Sequence, residues 1–183
     1  MAQDISGKKV AFLLTNGYED SELTAPWQAV DDAGGRPILV APKTGTVKGK
    51  KGHSQSVDRA VADVAAADFD ALVLPGGVVN ADHLRMDERA VEFTRDFFVQ
   101  RKPVAVICHG AWILIEADVV DGRRMTSYPS LKTDLMNAGA EWVDEEVVVD
   151  QGLVSSRRPD DLPAFCSKLL EEIAEGAHSR QRA

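Results

Sequence analysis

The stretch Val104-Ala-Val-Ile-Cys-His-Gly-Ala-Trp112 decides the fold. Its four leading residues are apolar and largely β-branched, with no polar alternation. Such a run is too short for a buried helix and fits a strand covered on both faces, as in the middle of a parallel sheet. The pattern then changes period, and Gly110 to Ala117 continues as a helix. Cys108 therefore stands where a buried strand turns sharply into a helix.

Working outward, the same alternation repeats. Ala71 to Leu74 is a second short buried strand, stopped by Pro75, Gly76 and Gly77. Lys8 to Leu14 is a third. It leads to a helix opened by Asp20 or Ser21, with Leu23, Trp27 and Val30 on one face and Gly34 and Gly35 closing it. A strand from Arg36 to Ala41 comes next, and Pro42 to Gln55, rich in Gly, Lys and Thr, forms a hairpin or loop excursion. Asp87 to Gln100 is a helix with Ala90, Thr94, Phe97 and Phe98 inward, and Val78 to Asp87 reads as the loop before it.

After a short strand at Arg123 to Thr126, a helix runs from Ser130 to Ala138 and ends at Gly139. Glu146 to Asp150 and Leu153 to Ser155 are strands joined by a Gln151-Gly152 turn. The last helix starts near Pro159 and carries Leu162, Cys166, Leu169 and Ile173 on one stripe; the polar tail beyond Gly176 is expected to fray. Strands alternating with helices predict an α/β fold with a mainly parallel sheet. The 183 residues suit one domain, with an ordered core from about residue 7 to 175.

Composition narrows the function. Hydrophobic residues make up 44 % and charged residues 27 %, as in a folded globular chain. A net charge of -8 argues against nucleic acid, whose phosphates need clustered Lys and Arg. The basic group Lys48, Lys50 and Lys51 reads as a solvated turn. The opening residues do not read as a signal peptide and no segment reads as long enough to span a membrane, so a cytoplasmic location is expected. Two cysteines, Cys108 and Cys166, are expected to be free thiols, with Cys166 packed in the core. His53, His83 and His178 lack ligand spacing, so neither a metal nor a cofactor is expected.

In open parallel sheets, ligands sit beyond the carboxyl ends of the strands. Three features fall there: Tyr18-Glu19-Asp20, Pro75-Gly76-Gly77 and Cys108-His109-Gly110. A helix N-terminus favours a thiolate, which makes Cys108 a candidate nucleophile; the alternative is a small buried hydrophobe. Glu19 reaches the same edge. Beside a thiolate it must hold a proton and donate it, since two anions repel; it reads equally as part of a helix-start acidic cluster. His109 is either the base for the thiol proton or the source of a backbone N–H. Gly76 and Gly77, with the N–H of His109, form a candidate oxyanion hole. Trp112 is core filler or a pocket wall.

The blocks FLLTNGYEDSEL (12–23), DALVLPGG (70–77), VAVICHGAW (104–112), RMTSYPSLKTDLMNAG (124–139), WVDEEVVVD (142–150) and GLVSSRRPDDLPAF (152–165) carry a resemblance. In this order they resemble the PfpI-type intracellular protease and general-stress protein family. That family lies within the superfamily of the parkinsonism-associated deglycase and the class I glutamine amidotransferase-like proteins. The resemblance implies a flavodoxin-like three-layer sandwich and a homodimer, in some members a hexamer. It implies Cys108 as nucleophile, Glu19 as its contacting acid, His109 beside it, and Gly77 and His109 as oxyanion donors. It places Tyr128 near the site and matches Asp82 to an acid supplied by a neighbouring subunit. The loop after Gly77 is one residue longer than in close relatives. Ala111 and Trp112 stand where Pro and Gln are common, and Val106 where a smaller residue is usual.

The activity so implied is a stress-response enzyme acting on reactive aldehydes such as methylglyoxal, or on their protein adducts, by glyoxalase III or deglycase chemistry. The same parts suit an intracellular cysteine peptidase. A non-catalytic redox sensor or chaperone built on an oxidisable Cys108 is the third reading.

Overall fold

The computed structural model describes residues 3–183. In chain order its elements are β1 (Lys9–Leu13), α1 (Asp20–Asp32), β2 (Arg36–Ala41), β3 (Thr46–Lys48), β4 (Ser54–Ser56), β5 (Arg59–Ala60) and β6 (Ala71–Leu74). Then come α2 (Val78–Arg85), α3 (Glu88–Val99), β7 (Val104–Ile107), α4 (Trp112–Glu116), β8 (Arg124–Met125) and α5 (Lys132–Asn137). The chain closes with β9 (Glu141–Trp142), β10 (Val147–Asp150), β11 (Leu153–Ser156) and α6 (Leu162–Glu175).

Seven strands form one sheet in the order β10-β11-β7-β6-β1-β2-β5. All neighbours are parallel except β10, which returns antiparallel to β11 through Gln151 and Gly152. Both turn residues have positive φ, 49° and 86°, as a two-residue hairpin turn requires. Leu72 pairs with Val104 and Leu74 with Val106, while Val10 pairs with Ala71. Parallel register sets the carboxyl ends of β1, β6 and β7 side by side.

Alternation along β1 divides the core. Val10, Phe12 and Leu14 pack with Leu23 and Val30 of α1 and with Phe165, Leu169 and Ile173 of α6. Ala11 and Leu13 face the other way, towards Leu84, Phe93, Phe97, Phe98, Leu114 and Leu135. The result is a three-layer α/β sandwich with α1 and α6 on one face of the sheet and α2 to α5 on the other. No helix among the described residues is long and apolar enough to cross a membrane.

Three expectations change. Val78–Arg85 is a helix where a loop was expected; the glycines before it and the paucity of strong helix formers mask it. The helix after the cysteine is interrupted: Cys108–Ala111 is a 3-10 turn, and only Trp112–Glu116 is α-helical. The tail is not frayed. His178 N donates to Arg101 O at 2.9 Å, Arg123 donates to Arg182 O, and Gln181 is only 2 % exposed.

Candidate active site

Cys108 occupies the left-handed region, with φ of 63°, directly after β7. That conformation is uncommon for a non-glycine residue and throws the sulfur out of the strand direction. The elbow needs Gly110: a Cβ there would lie 2.7 Å from Leu74 O and 2.9 Å from Pro75 O. Cys108 is 8 % exposed, and the nearby backbone N–H groups of His109 and Gly77 favour charge on its sulfur. Cys166 is half-buried and, like Cys108, a free thiol. Burial pushes it up to about 11, with no acid beside it.

The acid beside Cys108 is Glu22, not Glu19. Glu22 is fully buried and its Oε2 accepts a 2.7 Å hydrogen bond from Gly76 N. A Cβ on Gly76 would stand 2.5 Å from Glu22 Oε2 and 2.7 Å from Cys108 Cβ, so this glycine is the gap through which acid and thiol meet. Burial, aided by the charge of Glu19, pushes Glu22 up to about 8. Burial and the Glu22 carboxylate together push the Cys108 thiol up to about 12, against the pull of the two N–H groups. The thiolate expected from a helix dipole is thus opposed, and the following α-helix is only five residues long. Glu22 keeps its proton through neutral pH. In that state no carboxylate charge faces the sulfur, and an O–H is there to support an anion on it.

Glu19 is 3 % exposed and stands at the N-cap position of α1, but its side chain makes no capping bond and turns towards the β3–β4 hairpin. Lys50 and Lys51 both form ion pairs with it, the latter at 2.7 Å. Burial opposes its charge, but these hydrogen bonds and charges prevail and hold the carboxyl below its usual range. The lysine turn is therefore not simply solvated. Lys50 N donates to Tyr18 O at 2.9 Å and Gly17 N to Lys48 O at 2.8 Å, pinning the hairpin beside the site.

His109 lies against the thiol, with Nδ1 3.3 Å from Sγ. Its Nε2 is 3.2 Å from Ser130 Oγ. Burial, then the charge of Lys50, lowers its pKa, so the ring is neutral near pH 7. The tautomer that donates Nε2–H to Ser130 leaves the Nδ1 lone pair facing the sulfur. Tyr128 stacks on the ring at 4.7 Å and Trp112 meets it edge-on at 5.3 Å. Trp112 is half-buried, with Nε1 donating to Asp134, so it is a wall of the site.

The structure brings together Cys108, His109, Gly77, Tyr128 and Trp112. Gly76 belongs to the site differently from the expectation: its N–H is committed to Glu22 and is not an oxyanion donor. Asp82 is exposed on α2 and does not approach His109 within the chain; Ser130 takes that position. Glu22 and Ser130 are the residues that sequence reasoning missed. Glu22 was accessible from spacing, since Glu22, Leu23, Pro26 and Val30 make the buried stripe of α1. A cavity of about 530 Å³ lined by Lys9, Arg36 and Asp58 lies at the opposite end of the sheet, where β1 and β2 begin.

Comparison with known proteins places the chain among relatives. The chain is 52 % identical over 166 residues to protein/nucleic acid deglycase 2 of Escherichia coli, covering 89 % of this chain and 96 % of that one. It is 50 % identical over 162 residues to general stress protein 18 of Bacillus subtilis, covering 87 % and 94 %. The structure superposes on Drosophila melanogaster DJ-1beta with a TM-score of 0.85 at 29 % identity, covering 91 % of this chain and 90 % of the other. A family profile matches residues 8–172, and the chain belongs to the DJ-1/PfpI family.

Proposed function

We propose that the protein is a Cys108-dependent stress enzyme that acts on methylglyoxal-type aldehydes or their adducts on proteins, as a deglycase or glyoxalase III. The observation that carries this reading is the arrangement of a neutral His109, a raised Glu22 and two backbone N–H groups around one sulfur. The thiol adds across the aldehyde C=O: the S–C bond forms as the C–O π bond breaks. The thiol proton passes to His109 Nδ1, and the new oxyanion accepts hydrogen bonds from the N–H groups of Gly77 and His109. Returning that proton to oxygen completes the hemithioacetal. Glu22, with a pKa near the working pH, is suited to take and return protons in the later rearrangement towards lactate.

Peptide hydrolysis by the same sulfur is less favoured. It calls for His109 to be oriented by an acid, and within the chain its outer nitrogen meets Ser130. An acid from a second subunit, Asp82 of a homodimer or hexamer, is the route by which that version arises. A redox reading is supported by Glu22, whose proton is placed to stabilise an oxidised sulfur. The family resemblance favours the cytoplasm as its location.

The test is lactate formation from methylglyoxal by the wild-type protein and three variants. Cys108→Ser is expected to abolish turnover and Glu22→Gln to lower it at least about 100-fold. Glu19→Gln is expected to keep most of it. Absent turnover in wild type, with Cys108 gaining oxygen under mild peroxide, points to the sensor instead.

A further inference from the structure

At the opposite end of the sheet from Cys108, the tail builds a second cluster. Gly176, with φ of 81°, ends α6 and turns the chain back. His178 N donates to Arg101 O at 2.9 Å, and Gln181 N to His178 O at 3.0 Å. The His178 ring settles on the β10–β11 turn, so that a Cβ on Gly152 would lie 2.7 Å from its Cδ2. This return brings together Glu172, Glu175 and His178, with one ligand atom of each within 4.8 Å of the others. Along the sequence His178 stands apart from the other histidines. Its companions are two glutamates at three-residue intervals on the helix before it.

One observation marks this cluster out from ordinary surface acids. Glu172 is only 5 % exposed, and its Oε2 forms an ion pair with His178 Nε2 at 3.0 Å in a geometry that is not aligned as a hydrogen bond. A buried carboxylate oxygen and an imidazole nitrogen this close, off the line of a good hydrogen bond, are placed like two ligands of one cation that would replace the proton between them. Donor atoms on a tetrahedral zinc ion stand about 3.3 Å apart. Glu175 is exposed, so it can swing in as a third ligand and leave the fourth position to water.

We propose that Glu172, Glu175 and His178 bind one divalent transition-metal ion, with Zn²⁺ the best match. Imidazole selects against Mg²⁺ and Ca²⁺, and the absence of a thiolate from the set selects against Cu⁺. The ion has no part in the Cys108 chemistry. It clasps the tail to the Arg101 and Gly152 turns and closes the end of α6.

The experiment uses the full chain without an affinity tag, stripped with a chelator, in a Cys108→Ser background so that the active-site thiol takes no metal. Titration with Zn²⁺ by calorimetry is expected to give one equivalent and a raised Tm. Co²⁺ is expected to give the visible absorption of a low-symmetry N/O site. His178→Ala and Glu172→Gln are expected to lose saturable binding. Glu175→Gln, a surface change that leaves packing intact, is expected to weaken it at least about tenfold while circular dichroism stays native. Absence of stoichiometric binding in the parent overturns the proposal, as does unchanged affinity in both Glu175→Gln and His178→Ala.

Discussion

At the scale of single residues, Glu19 and Glu22 show how three positions along a helix exchange two fates. Both are acids at the start of α1, both are buried, and the charge signature of the sequence does not separate them. What separates them is a hairpin distant in sequence. Lys50 and Lys51 draw Glu19 outward and keep it charged, while Glu22, one turn on, meets only Gly76 and Cys108 and keeps its proton. The raised pKa has a stability consequence of definite sign. Below the ordinary carboxyl value of 4.5 the folded and unfolded chains both carry the proton, and Glu22 is neutral in the balance. As pH rises from there towards about 8, the unfolded chain ionises first and stability falls. The loss is about 3 kcal/mol by pH 7. Glu22→Gln is therefore expected to match wild type at pH 4 and to be increasingly more stable up to pH 8; urea midpoints across that range measure it. His109 gives a companion effect on rate. Its lowered pKa keeps it a base through neutrality, so the acid limb of turnover is expected below the ordinary histidine value of 6.5.

At the scale of elements, β6 and β7 were legible to the residue, because buried strands announce themselves by unbroken apolar runs, and β2 was legible from its apolar end between Gly35 and Pro42. Helix α3 was legible too: Asp87 caps it by accepting from Ala90 N at 2.9 Å, and its phenylalanines mark the inward face. Asp87→Ala is expected to cost about 1 kcal/mol, read as a lower Tm with activity retained. Helix α2 was hidden because tertiary contact, not propensity, forms it. Asn80 is fully buried and its side chain satisfies Thr15 N, Pro75 O and Gly76 O, a role that a local pattern does not reveal. The elbow depends on backbone proximity in the same way. Gly110→Ala is expected to displace β6 from β7 and to lose both stability and turnover, whereas Ala111→Gly next to it leaves the Leu74 and Pro75 carbonyls undisturbed. Thermal melts and lactate assays on the pair distinguish the two.

At the scale of the whole molecule, sheet order was only partly readable, since nothing local states that β7 lies between β6 and β11. The convergence of strand ends was readable, because parallel strands leave no other choice of edge. The tail was misread: a polar composition suggests fraying, but Arg123, 3 % exposed, gathers Val119 O and Arg182 O and draws the terminus in. Truncation after Gly176 is accordingly expected to lower Tm by several degrees and to expose the Arg123 guanidinium, with amide exchange rising around Arg101 and Val119. The placement of Glu22, Gly76 and Cys108 on β1, β6 and β7 crossovers has a last implication. No contiguous fragment short of that whole span contains the reacting centre, and the pieces are held in place by neighbouring strands across the sheet. A protease that nicks an exposed turn between them, such as the one around Gly52, should leave two polypeptides still clasped together and still competent, with chemistry vanishing only when the halves are pulled apart.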